Sequence, residues 1–126
     1  MRTGLVAAAV LIFVVGLAHS VLGERLILMR LFRRPDLPPL FGSSAFTART
    51  LRFAWHLTTV VWWGVGALLL LSAQGALTEQ RMLEVIAATT LASGLIALVG
   101  SRGQHLAWLA FFIIGGLVWQ AASTTT

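Results

Sequence analysis

Arg52-Phe53-Ala54-Trp55-His56-Leu57-Thr58-Thr59-Val60-Val61-Trp62-Trp63 opens the stretch of sequence that decides the fold. A basic residue stands at its edge, and a histidine lies one turn inside it, among three tryptophans. From Phe53 to Ser72 there is no Asp, Glu, Lys or Arg. A run of about 20 such residues is what a helix needs to cross the hydrocarbon core of a bilayer. An ionisable side chain inside that core is costly, so His56 requires a partner or a purpose.

Working outward, the same pattern recurs on both sides. Apolar spans cover about residues 4–23, 53–72, 82–100 and 104–122. The chain is 58% hydrophobic and 10% charged, with a mean hydropathy of +0.90, so a water-soluble fold of 126 residues is excluded. The reading is a single all-α transmembrane domain over residues 1–126. The first span ends in Ala18-His19-Ser20, which has the look of a signal-peptide end. It is longer than an ordinary signal core and is expected to be retained as a helix.

Residues 24–52 form a basic loop holding Arg25, Arg30, Arg33, Arg34 and Arg49 against Glu24 and Asp36, with Arg52 at its edge. Its first part, Arg25 to Arg34, mixes apolar and basic residues at helical spacing and either continues helix one or lies in the interface. Pro35 stops it, Pro38-Pro39 keeps the chain extended, and Ser43 or Ser44 is placed to cap the next helix. The third span is built of small residues (Ala87, Ala88, Ala92, Ser93, Gly94, Ala97), a surface that lets helix backbones approach closely.

Four spans with one long and two short connections predict an up-down-up-down four-helix bundle. Arginines mark the cytoplasmic side. The first loop and Arg102 in the third connection therefore face the cytoplasm of a bacterial inner membrane, with both termini outside. Arginines so placed are topology signals and contacts to anionic lipid headgroups, and no nucleic-acid partner is expected. The small-residue faces leave room for a homo-oligomer. With no cysteine, disulfides and thiolate metal sites are excluded. No charged group lies at mid-membrane, which argues against a transport relay.

This topology puts His19, His56 and His105 in one leaflet at similar depth, with Glu24 at the same end. At about 100° per residue, Gly16, Ser20 and Gly23 fill the arc between His19 and Glu24, which stand roughly 140° apart on a straight helix. Glu24 reaches a common point only where the helix loosens at Gly23 or another helix lies between. On helix two, Arg49, Arg52, His56, Thr59, Val60 and Trp63 share a stripe; on helix four, His105 shares one with Trp108, Phe112, Gly116 and Trp119. The leading expectation is a transition-metal site for zinc, iron or manganese, with His19, His56 and His105 as ligands. Glu24 is the fourth ligand, or the base of a metal-dependent enzyme. The first alternative is a haem b electron carrier with two axial histidines, and Arg49, Arg52 and Arg102 on the propionates or another anion. The second is a structural or partner-binding membrane protein without a cofactor, its histidines and hydroxyls serving as interhelical glue.

Three segments also carry a resemblance: Ala18 to Glu24 (AHSVLGE), Arg52 to Thr59 (RFAWHLTT) and Ser101 to Trp108 (SRGQHLAW). Together they resemble a group of small, uncharacterised bacterial inner-membrane proteins, a likeness that spans most of the chain and implies no activity. The His19-Ser20 pair is similar to the corresponding pair of NnrU-type membrane proteins, which are longer and associated with haem.

Overall fold

The computed structural model describes residues 2–125 and is all-helical, with four helices long and apolar enough to cross a membrane. They are α1 (Thr3–Leu31), α2 (Ser44–Ala73), α3 (Glu79–Ser101) and α4 (Ala107–Thr124). α1 continues through the first basic residues of the loop and ends at Leu31, ahead of Pro35. α2 begins nine residues before the apolar span, where Ser43 is its N-cap: the Ser43 hydroxyl accepts from the Phe46 N–H at 3.2 Å. Thr78 caps α3 in the same way by accepting from the Arg81 N–H.

Between α1 and α2 the loop is held by short local bonds. Thr47 Oγ1 accepts from the Leu40 N–H (2.8 Å) and donates to the Pro38 carbonyl (2.7 Å). Arg34 grips Asp36 with two hydrogen bonds, 2.9 and 2.7 Å, and this guanidinium holds the exposed Asp36 carboxyl below its ordinary range. α3 ends on Arg102 in the left-handed conformation (φ 54°), followed by Gly103 at φ 77°, whose N–H returns to the Leu98 carbonyl.

Apart from Leu28 and Phe53, every buried residue among those described is Gly, Ala, Ser or Thr. The helices meet through small residues, so backbones come close and large side chains are left outside. A Cβ added to Gly100 would lie 2.7 Å from Phe53 Cβ, and one added to Gly94 would lie 2.9 Å from the Phe112 ring. The Gly115 backbone accommodates Leu91 in the same manner. Leu11, Val14 and Leu117 are more than half exposed, the surface expected of helices surrounded by lipid.

The helices form an open row. Among the described residues, only helices adjacent in sequence come within 8 Å of one another between Cα atoms: α1 with α2, α2 with α3, and α3 with α4. α1 and α4 therefore stand at opposite ends of the row, and this spacing governs which functional groups can meet.

Candidate functional site

The site is built on a change of helical pitch. From Gly23 to Leu28, α1 passes from α-helical to π-helical pairing, in which each N–H reaches the carbonyl five residues back. Gly23 is where the Trp55 ring packs: a Cβ there would lie 2.5 Å from Trp55 Cε2 and 2.6 Å from Cζ2. The wider turn re-aims Glu24, whose carboxylate faces α2. Its Oε1 lies 3.1 Å from Arg52 Nη2, and its Oε2 lies 3.3 Å from His56 Nε2.

From His56 a hydrogen-bond chain runs inward. His56 Nδ1 is 2.9 Å from Ser20 Oγ, Ser20 Oγ is 2.8 Å from Thr59 Oγ1, and Thr59 Oγ1 donates to the Gly16 carbonyl at 3.2 Å. Thr59 is buried, with 4% of its surface exposed, whereas the Glu24 and His56 side chains retain 29%. One end of the chain is thus open to exchange protons while the other is sealed between helices.

Beside it lies a seam of main-chain contacts. Trp55 Nε1–H donates to the His19 carbonyl (3.1 Å), Thr59 to the Gly16 carbonyl, and Trp63 Nε1–H to the Phe13 carbonyl (3.2 Å). Donors every four residues on α2 meet acceptors every three residues on α1. Gly16 makes room in the middle, since a Cβ there would lie 2.6 Å from Trp63 Nε1.

His19 sits on the other side of this seam. Its ring stacks on Trp55 with centroids 4.4 Å apart and planes 3° from parallel. The Thr58 hydroxyl donates to the Trp55 carbonyl at 2.7 Å, which leaves Thr58 Oγ1 to accept from His19 Nε2–H at 2.8 Å. His105 is elsewhere. It stacks on Phe46 (5.9 Å) and meets Phe53 edge-on (5.2 Å), and its Nδ1 accepts the Ala107 N–H at the start of α4.

The structure thus brings Glu24 and His56 together, places His19 across the seam, and leaves His105 at the far side of α2. The reason is the open row: α1 and α4 do not meet, so a ligand at the head of α4 does not converge with ligands on α1. Among the described residues no three His, Asp or Glu side chains are grouped to hold one ion. Arg52 on the Glu24 carboxylate also opposes a second cation there. Of the other arginines, Arg49 donates to Gln104 Oε1 at 2.9 Å and Arg102 is exposed in the turn after α3.

Carboxylate, imidazole and hydroxyl follow one another here in the order of a nucleophilic triad. Ser20, however, lies inside a helix whose backbone N–H groups are consumed by helical pairing, so no oxyanion donors face it. What the arrangement can do is carry and redistribute a proton. A neutral His56 donates from Nε2 to Glu24 and accepts at Nδ1 from Ser20, which accepts in turn from Thr59. A protonated His56 donates from both nitrogens, Ser20 donates to Thr59, and Thr59 donates to the Gly16 carbonyl. The neutral form has three hydrogens for these four contacts, so with Thr59 turned to Ser20 the Gly16 carbonyl keeps only its helical partner; the protonated form fills all four.

Ser20, Thr58, Thr59, Trp55 and Trp63 carry these contacts and are not among the ligand, base or anion-contact residues expected from sequence. The available signal was that Ser20 lies in the small-residue arc of α1 and Thr59 in the His56 stripe of α2. Two such stripes facing each other must pair their hydroxyls. Comparison of the chain with protein-family models, curated proteins and solved structures finds no match.

Proposed function

We propose that the chain is an up-down-up-down protein of the bacterial inner membrane, with its basic end in the cytoplasm and both termini outside, and that it is a proton-responsive partner-binding protein. His56 exchanges a proton at the cytoplasmic end, and its charge state sets the donor direction of the bonds that join α1 to α2. The observation that carries this reading is the series of contacts Glu24–His56–Ser20–Thr59–Gly16 carbonyl, bounded by two acceptors and completely filled only when His56 carries both its protons. The charged groups facing His56 are Glu24 from α1 and Arg52 from its own helix; α3 presents Leu95, Ile96, Val99 and Gly100. Protonation therefore gives Glu24 a second cationic partner, on the carboxylate oxygen that Arg52 does not hold.

The basic end supports the orientation. Seven of the nine arginines and two of the four carboxylates lie there, so it carries the whole net charge of +5. The outer faces of α1 and α4 are left to lipid or to a partner's helices.

The test is histidine nitrogen NMR of the protein in micelles between pH 5 and 8, the interval in which imidazole changes charge. It is read together with the indole N–H resonances of Trp55 and Trp63. Both indole signals should differ between the two ends of that interval in the wild type and stay still in His56→Gln. Indole shifts that persist in that variant would refute the reading. So would stoichiometric transition metal or a haem Soret band in the purified protein, either of which would favour a cofactor site.

A further inference from the structure

Between α2 and α3, beside the polar chain, lies a groove of about 390 Å³. Its walls are Phe53 on one side and Leu95, Ile96, Val99 and Gly100 on the other, and Arg52 and His56 contribute to the same lining. The volume falls within the range of small-ligand sites, about 300–1,000 Å³. Leu95 and Val99 are 56% and 68% exposed, so the groove opens outward along the helix pair.

Its upper end is basic. Arg52 precedes Phe53, and Arg102 follows Gly100 by two residues in the turn that closes α3. Arg49, one turn before Phe53, spans from α2 to Gln104 in the connection that follows that turn. Phe53 packs directly on Gly100 where the two helices meet, a Cβ on Gly100 falling 2.7 Å from Phe53 Cβ. Three arginines are thus placed by the chain at this end of the apolar slot; the Arg52 guanidinium rests on the Glu24 carboxylate and that of Arg49 on Gln104, so both turn from those partners to meet a phosphate.

We infer that this groove is a phospholipid site: one acyl chain of an anionic phospholipid lies along Leu95, Ile96 and Val99, and its phosphate sits among Arg49, Arg52 and Arg102. Charge and shape select the occupant. An apolar slot without a basic head would take any lipid, and arginines without a slot would take any phosphate. The combination selects an amphiphile with both parts, and guanidinium groups match phosphate oxygens in geometry as well as charge. Lys or Arg near a membrane surface contributes on the order of 1 kcal/mol toward anionic lipid, roughly a fivefold change in affinity for each arginine. The site rests on the proposed orientation only in placing the basic end at a leaflet that contains anionic lipid. It does not require His56 to act as a switch.

The experiment is native mass spectrometry of the full chain released from nanodiscs, comparing phosphatidylglycerol with phosphatidylcholine of the same acyl composition. One phosphatidylglycerol should remain bound per chain, and phosphatidylcholine should be lost at the same activation energy. Arg102→Gln should weaken retention roughly fivefold, and Arg49→Gln with Arg102→Gln roughly 25-fold. Val99→Trp should abolish retention by filling the slot, with circular dichroism as the control for folding. Added inorganic phosphate at millimolar concentration should leave the lipid in place, because it offers no acyl chain. Equal retention of the two lipids, or undiminished retention in Arg102→Gln, would overturn the site even if Val99→Trp failed to fold. Displacement by inorganic phosphate would reduce it to an anion site. Absence of any pH-dependent shift in the wild-type Trp55 and Trp63 indole signals, with phosphatidylglycerol still bound, would defeat the proton-responsive reading and leave this one standing.

Discussion

Replacing Gly23 with alanine tests the close approach on which the site depends. Alanine is the better helix former by about 1 kcal/mol, so propensity alone predicts a more stable protein. The structure predicts the opposite sign, because the new methyl would occupy space held by the Trp55 indole, 2.5 Å from Cε2. Two relaxations are open. If the indole swings away, it forfeits its bond to the His19 carbonyl, about 0.6 kcal/mol on average for such interhelical bonds and up to about 1.7. It also loses its stack on His19, worth about 0.5–1.5 kcal/mol. If the indole stays, α1 must back away from α2, and overpacking of this kind costs about 1–3 kcal/mol. After the propensity gain is subtracted, either route leaves a net loss of about 0–2 kcal/mol, centred near 1. The control is Gly116→Ala in α4, where a Cβ meets nothing within 4 Å and the propensity gain should appear unopposed. The assay is reversible unfolding in mixed micelles by titration with a denaturing detergent, followed by far-ultraviolet circular dichroism and tryptophan fluorescence. A Gly23→Ala protein as stable as Gly116→Ala would refute the packing of Trp55 on the π-turn, and with it the geometry that turns Glu24 toward His56.

Two further outcomes follow from the same contacts. Thr59→Val keeps the shape of a buried residue but removes the bonds to Ser20 and to the Gly16 carbonyl. It should cost about 1 kcal/mol in the same unfolding assay and uncouple the indole signals of Trp55 and Trp63 from pH, and an unchanged titration would show that the chain does not relay the proton. In the loop, Arg34 lowers the Asp36 carboxyl, so its ordering effect is fully present above the ordinary carboxylate range and is lost as pH falls through the lowered value. Carboxyl-carbon NMR should follow that loss on acidification, and Arg34→Gln should move the Asp36 transition upward; no movement would mean the two hydrogen bonds do not form in solution.

Much of the architecture is legible in the order of residues, for definite reasons. Span length and the absence of charge from Phe53 to Ser72 dictate helices suited to a bilayer, because an apolar chain in lipid must satisfy its backbone internally. A serine at 43 or 44 before a helix-forming run offers a cap, of which the structure uses Ser43, and the Gly16, Ser20 and Gly23 arc offers a face of close approach. The angle between His19 and Glu24 shows from sequence alone that a straight helix cannot aim both at one point. Sequence cannot say which remedy the chain adopts, and the structure supplies a π-turn beginning at Gly23 that aims Glu24 at α2 and leaves His19 across the seam. The order of the helices in the row is equally a tertiary property. Sharing a leaflet is a one-dimensional condition, and His19, His56 and His105 all meet it by depth. Meeting one another requires neighbouring helices as well, and small-residue seams that join each helix only to the next keep α4, with His105, away from α1. The identity of His56 as a costly polar group needing a partner follows from sequence and the physics of the bilayer. That its partners are Glu24, Arg52 and Ser20 is decided by packing, because the pitch of one helix and the absence of a side chain at Gly23 bring them within reach.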